Sequence, residues 1–342
     1  MTATPPLENS EQFLSPEPLM QMTFSHAPQR ILAAGVRLHV FSHIAVGKHV
    51  LAEIAEAAGA SERGMRMLLD ALTGFQLLAK SDGLYHLTPM SEKFLVRESP
   101  DYLGAMMEMD EMWHSWGGLT EIIRTGRPDR RVESQEEAEK FFSVLVRSLH
   151  VANREPARRT AEALGAGNTH QGMQVLDVAC GSGIWGICIA EADTGARITA
   201  QDFPGLFATT REYVERHAVA DRFDYLPGDL KTVDFGENRF DLALLGNIVH
   251  SEGEQSSRDL FQRLHRALKP GGRIAVIDMI PNDERTAPPF PLIFAINMLI
   301  NTEVGDTYTL AEYTTWLNEA GFARVETADI GSHSPLIIGT KE

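Results

Sequence analysis

Cysteine is nearly absent, with two residues in 342, Cys180 and Cys188. Such a pair forms no disulfide framework and fits a reducing compartment, so a cytoplasmic location is expected. Positive charge is scarce too: 31 Lys and Arg stand against 47 Asp and Glu, a formal net charge of −16. A chain that acidic is repelled by phosphate backbones, and nucleic acid is not an expected partner. Long apolar runs are missing. The longest, PLIFAINMLI from Pro291 to Ile300, contains Asn297 and is half the roughly 20 residues that a bilayer span needs, so no membrane association is expected. The opening stretch, MTATPPLENSEQFLSPEP, is polar and proline-rich and has no apolar signal core; residues 1–18 read as a flexible arm. No metal set is apparent. His39 and His43 stand four apart on an expected helix, a spacing that suits a metal, but no third ligand lies near them.

What is present is a soluble globular composition, 43% hydrophobic and 23% charged, long enough for two domains. Helical patterning begins near Leu19 and runs through RILAAGVRLHVFSHIA. A short helix, a turn at Gly59, a second helix capped by Ser61 and a hairpin turning at Asp82-Gly83 follow, which is a winged-helix pattern over residues 19–100. From Ile44 to Glu98 six basic residues face seven acidic ones, so a DNA-binding winged helix has no electrostatic driving force there. Residues 101–170 read as connecting helices that contribute to a substrate pocket.

Beyond the stretch GAGNTHQGM the texture changes to apolar runs alternating with amphipathic helices: QVLDVAC, ARITAQD, FDYLPGD, FDLALLGN, RIAVIDMI, RVETADI and PLIIGTK. That alternation implies an α/β domain over residues 171–342, a mostly parallel sheet covered by helices. The last two strands are joined by too few residues for a parallel crossover, so one of them is expected to run antiparallel.

The first strand of this domain ends in a glycine turn, Gly181-x-Gly183-x-x-Gly186, and Asp202 ends the second, 21 residues beyond Gly181. Glycines there let a ligand approach the backbone, and a carboxylate at that place can accept both ribose hydroxyls. NAD and an adenosyl cofactor fit this much equally well, because G-x-G-x-x-G alone is a weak signal. Asp177, four residues before Gly181, separates them: it would oppose a pyrophosphate and attract a cationic amino-acid tail. Gly228-Asp229 puts a further acceptor where an adenine amino group could reach it, and LKPGG leads into the fifth strand.

Together LDVACGSG, QDFP, GD and LKPGG resemble the motifs of seven-stranded, Rossmann-like class I methyltransferases that use S-adenosylmethionine (SAM) and release S-adenosylhomocysteine. With a winged helix ahead of it, the chain is similar to the small-molecule O-methyltransferases of plant and bacterial natural-product pathways, the caffeate, acetylserotonin and polyketide types. The resemblance implies a homodimer through the N-terminal domain, which helps close the partner's active site. It also implies SAM contacts from Asp177, Gly181, Gly183, Asp202, Phe203, Gly228, Asp229, Leu230, Gly246 and Asn247.

Methyl transfer to oxygen requires an aligned acceptor and, for a phenol, removal of its proton. In this family the catalytic histidine follows the fourth strand; the matching residue in LLGNIVHSEGE is His250, with an orienting acid at Asp278 in AVIDMI. A second family acid maps onto Thr307 in GDTYT, a departure that leaves C- or N-methylation, a SAM-binding regulator or a non-methylating catalyst as alternatives. Asp306 and Glu303 are the nearest acidic substitutes. The acceptor, expected to be a small aromatic hydroxyl compound of secondary metabolism, would meet Met112, Trp113 and Trp116 in AMMEMDEMWHSW, then His150, Asn297 and Met298. An ordinary helix core explains the same Met and Trp residues nearly as well. Cys180 is expected only to pack.

Overall fold

Local chemistry sets the N-terminal elements. Ser61 accepts the Gly64 N–H and opens a helix, and Asp82 and Gly83, both at positive φ, form the two-residue hairpin turn. The computed structural model describes residues 15–128, 135–332 and 334–342; the side chains of residues 111, 112 and 135–144 also lie outside what is described. The chain divides into two compact units, Met1–Glu108 and Met109–Glu342.

In the first unit the helices are α1 (Glu17–Thr23), α2 (His26–Arg37), α3 (Val40–Ala45), α4 (Leu51–Ala57) and α5 (Glu62–Gly74). The antiparallel hairpin β1 (Leu78–Ser81) and β2 (Leu84–Leu87) follows, then α6 (Pro89–Leu95) and α7 (Gly104–Met107). Helix, helix and wing therefore stand as the sequence pattern requires. Their core holds Val36, Phe41, Ile54, Leu69, Leu72 and Tyr85. The expected helix through His39 and His43 is corrected: it breaks at Leu38, and His39 sits in a left-handed conformation (φ 51°) ahead of α3. Its ring lies 6.4 Å from that of His43, edge to face.

The second unit opens with α8 (Asp110–Gly117), α9 (Leu119–Thr125) and the long α10 (Gln135–Ala163). Strands and helices then alternate: β3 (Gln174–Val178), α11 (Ile184–Ala192), β4 (Arg197–Asp202), α12 (Phe207–Arg216), β5 (Phe223–Pro227), β6 (Phe240–Gly246), α13 (Val249–Glu252), α14 (Glu254–Ala267), β7 (Leu268–Ile277), α15 (Pro289–Asn301), α16 (Leu310–Glu319), β8 (Phe322–Ala328) and β9 (Leu336–Lys341). The seven strands lie in the order β5-β4-β3-β6-β7-β9-β8. The first five are parallel, and β9 runs antiparallel to both of its neighbours.

Because successive side chains of a strand face opposite ways, both faces of this sheet are apolar. Val175, Leu242, Leu244 and Ile198 pack against residues of α10, α11 and α12 such as Ala157, Ile187 and Tyr213. Leu176, Ala243, Leu245 and Val276 pack against Phe261, Leu264, Tyr313 and Trp316 of α14 and α16. Burial of both faces leaves the carboxyl edge of the five parallel strands as the place where polar side chains collect.

Candidate active site

Three loops at that edge form a cradle. Beyond β3 the chain takes positive φ at Ala179 (50°), Gly181 (55°) and Gly183 (76°), which suits the two glycines and opens α11. Asp202, at the end of β4, accepts the Gly181 N–H on Oδ2 (2.7 Å) and the Phe203 N–H on Oδ1 (2.8 Å). Gln201, one residue earlier, is a member that sequence reasoning missed. Its Oε1 accepts from Ala179 N–H (3.1 Å) and its Nε2 donates to the Gly228 carbonyl (2.7 Å), bracing two loops against each other. A polar side chain one residue before a strand-end acid was the available signal. Thr210 of α12 donates to the Gly181 carbonyl (2.7 Å). Cys180 is buried beside Thr210 and packs there.

Asp177 is fully buried under this cradle. Its Oδ2 accepts the Gly186 N–H (3.0 Å), while Oδ1 has no hydrogen-bond partner among the described residues. Burial, aided by the nearby Asp202 charge and opposed by the Gly186 N–H, pushes its carboxyl up to about 8. An orphaned carboxylate oxygen at a glycine-lined cradle fits the cationic amino-acid end of SAM and does not fit a pyrophosphate. Gly186 also lets α11 approach the sheet: a Cβ there would lie 2.8 Å from Ile198 Cγ2 and 2.9 Å from Asp177 Oδ2.

The structure gives the other expected cofactor residues contacts within the protein. Asp229 is exposed and caps its own turn, accepting the Lys231 N–H (2.8 Å). Leu230 is buried in the core, and its carbonyl accepts from Arg263 (2.7 Å). Gly228 has φ 148° and pairs its N–H with the Asp202 carbonyl (3.1 Å). Gly246 makes room for an indole, since a Cβ there would lie 2.0 Å from Trp185 Nε1. Asn247, at φ 60°, donates its backbone N–H to the Ile277 carbonyl (2.7 Å) and faces Asn153 of α10.

Beside the cradle, β6 and β7 bring His250 and Asp278 together. His250 Nδ1 lies 2.5 Å from Asp278 Oδ1, and its backbone N–H donates to Oδ2 (2.9 Å). Met279 N–H donates to Oδ1 (2.8 Å) and the Tyr313 hydroxyl to Oδ2 (3.0 Å). Burial alone would raise the Asp278 carboxyl; the His250 ring and these donors outweigh it and hold the group below its ordinary range. An ionised Asp278 fixes the tautomer of a neutral His250: Nδ1 carries the proton and Nε2 keeps its lone pair. The Phe294 ring of α15 stands edge-on to the imidazole, 4.9 Å away.

Thr307, at the second acid's position, is fully buried, and its Oγ1 has no partner among the described residues. The Asp306 carboxylate accepts the Thr307 N–H and faces Arg285, and Glu303 is exposed. The second side chain that anchors Asp278 is Tyr313. Nothing in TLAEYTTWL distinguishes it from an ordinary core aromatic.

The expected acceptor residues are spread over three helices. Trp113 and Trp116 lie on α8, with Trp113 42% exposed; the side chain of Met112 lies outside the described residues. Asn297 and Met298 lie on α15, the helix that also carries Phe294. Asn297 binds Asn301 Nδ2, and Met298 is buried. His150 is 5% exposed on α10, with both ring nitrogens engaged by protein groups.

Comparison with known proteins identifies the family. A family model described as the O-methyltransferase domain matches residues 131–323, and one described as the O-methyltransferase dimerisation domain matches residues 20–97. The chain is 30% identical over 341 residues to the tetracenomycin polyketide synthesis 8-O-methyl transferase TcmO of Streptomyces glaucescens, spanning 95% of this chain and 97% of that protein. It is 28% identical over 312 residues to the 3-hydroxy-5-methyl-1-naphthoate 3-O-methyltransferase of Streptomyces sahachiroi, with 88% of each covered. The crystal structure of human N-acetylserotonin methyltransferase in complex with SAM shares the fold, with a TM-score of 0.82 at 23% identity over 97% of this chain and 99% of that one. The protein thus belongs to the SAM-dependent O-methyltransferases that carry an N-terminal dimerisation domain ahead of a Rossmann-like catalytic domain.

Proposed function

We propose that this enzyme methylates a hydroxyl of a small aromatic metabolite, with His250 as general base. The observation that carries the reading is the His250–Asp278 pair, at the same sheet edge as the cofactor cradle and with its tautomer dictated by a buried carboxylate. Bound SAM supplies a methyl group already activated by its sulfonium charge. Asp202 and the backbone of Gly181 and Gly183 would hold the cofactor's ribose side, and Asp177 Oδ1 its ammonium. His250 Nε2 takes the hydroxyl proton as the oxygen attacks, and Asp278 stabilises the resulting imidazolium without accepting the proton itself.

An aromatic acceptor is supported by Phe294 at the imidazole and by Phe290, whose ring lies 6.1 Å from that of Phe294. The relatives that act on a polyketide and a naphthoate point the same way. Trp113 and Trp116 would add flat apolar surface. The N-terminal unit, matched to a dimerisation domain, would pair two such chains.

The test is transfer of labelled methyl from SAM to a panel of hydroxynaphthoates and polyketide phenols, by wild type and by His250→Ala. Activity that falls at least about a hundredfold, at unchanged SAM affinity, supports the base. Undiminished transfer by the variant would remove His250 from the chemistry.

A further inference from the structure

The His250 reading leaves one polar chain unused, buried at Ser182 and His150 and reaching the surface at Glu191. It begins inside the glycine loop at Ser182, between Gly181 and Gly183. The Ser182 hydroxyl lies 3.1 Å from His150 Nδ1. His150 Nε2 lies 3.3 Å from His217 Nε2, and His217 Nδ1 lies 2.7 Å from Glu191 Oε1. The chain ties four elements: the loop that opens α11, His150 on α10, His217 at the C-terminal cap of α12, and Glu191 near the end of α11. The His150 ring is stacked on Tyr213 at 3.7 Å between centroids, with 17° between planes. Val146, one turn earlier on α10, stands where a Cβ on Gly181 would touch it.

Donor and acceptor counting gives the chain a direction. A carboxylate only accepts, so His217 presents Nδ1–H to Glu191 and, when neutral, a bare Nε2 to His150. His150 must then donate from Nε2 and accept on Nδ1, and the proton offered to Nδ1 is that of Ser182. Burial, then the nearby His217, Arg154 and Arg216, push His150 down to about 3, so its ring is uncharged, as this polarity requires.

We propose that His150 is a positioning residue for the cofactor: held in one tautomer by His217 and Glu191, it anchors the Ser182 hydroxyl and sets the glycine loop in the form that receives SAM. The proposal rests on SAM binding and not on the role of His250.

SAM binding by calorimetry and steady-state kinetics at varied SAM test it. Ser182→Ala removes only the hydroxyl; His150→Phe keeps the ring stacked on Tyr213 and removes both nitrogens. Each should weaken SAM by about fivefold to tenfold, as expected for one neutral hydrogen bond. The loss should fall on KM for SAM, with kcat at saturating SAM changed less than about twofold. The double variant should be no worse than either single one. His150→Asn, whose amide oxygen stands near the Nδ1 position, should recover part of the loss. Long-range proton–nitrogen NMR should show His150 protonated at Nε2 and bare at Nδ1.

Wild-type SAM affinity in Ser182→Ala would overturn the proposal, and so would an Nδ1-protonated His150. A raised KM for the aromatic acceptor with intact SAM affinity in His150→Phe would overturn it by placing His150 in the acceptor site. These outcomes are separable from failure of the His250 reading, which concerns kcat at unchanged SAM affinity.

Discussion

At the scale of single residues, Asp177 couples cofactor binding to protons. Its buried carboxyl is raised to about 8, whereas in an unfolded chain it would ionise near 4. Between those values the folded, cofactor-free protein binds more protons than the unfolded one, so this group's contribution to stability falls as pH rises through the window. A cation held at Oδ1 favours the ionised form, and SAM binding should expel the proton. SAM affinity is therefore expected to rise with pH up to about 8. Calorimetry at pH about 6.5 in buffers of different ionisation enthalpy should detect release of up to about one proton. Asp177→Asn should abolish that release; a wild-type protein that releases none would mean that Asp177 is already ionised before SAM arrives. Tyr313 allows a second prediction. Tyr313→Phe keeps the ring among Phe261, Tyr308 and Trp316 and removes one of four donors to Asp278. A hydrogen bond to a charged group is worth about 1.5–3 kcal/mol, so denaturant titration should show a loss of about that size. The glycines and strand-end acids were legible in the sequence because their spacing is set by backbone geometry. Gln201, Tyr313 and the Ser182–His150 contact were not, because each depends on a partner brought close only by the folded sheet.

At the scale of elements, the seven strands were legible because buried strands read as short apolar runs, and the short connection around Gly331 required an antiparallel strand. Boundaries were less legible. Pairing of β7 with β6 extends back to Leu268, across the Pro270-Gly271-Gly272 turn and a register shift, so this strand is longer than its apolar run. The break between α2 and α3 carries no Gly or Pro to announce it; His39 adopts a left-handed backbone that its residue type does not advertise. Packing of α11 on the sheet gives a test at this scale. In Gly246→Ala the new Cβ would fall onto the Trp185 indole, which is rigid and only 4% exposed. Overpacking of this kind costs about 1–3 kcal/mol, so in a unit of this size the melting temperature should fall by about 2–12 °C. Gly117→Ala, on α8 with nothing within 4 Å of its Cβ, serves as the control and should hold or raise it. An unchanged melting temperature in Gly246→Ala would mean that the indole has room to move.

At the scale of the whole molecule, α1 exposes Leu19, Met20 and Met22, with Phe24 just beyond, each more than half exposed. Apolar side chains so placed in a unit matched to a dimerisation domain suit a subunit interface. The double substitution Leu19→Ser with Phe24→Ser should shift sedimentation from dimer toward monomer at micromolar concentration; an unchanged dimer would locate the interface elsewhere. The sheet carries a different kind of consequence. Among the described residues β9 follows every other strand, yet it lies between β7 and β8 and is the only strand hydrogen-bonded to β8. While the polypeptide is being synthesised, β8 has no strand to join and β7 has an open edge until β9 leaves the ribosome. The nascent α/β unit therefore waits for its final strand with an unprotected sheet edge, the stage at which a chaperone would be needed most.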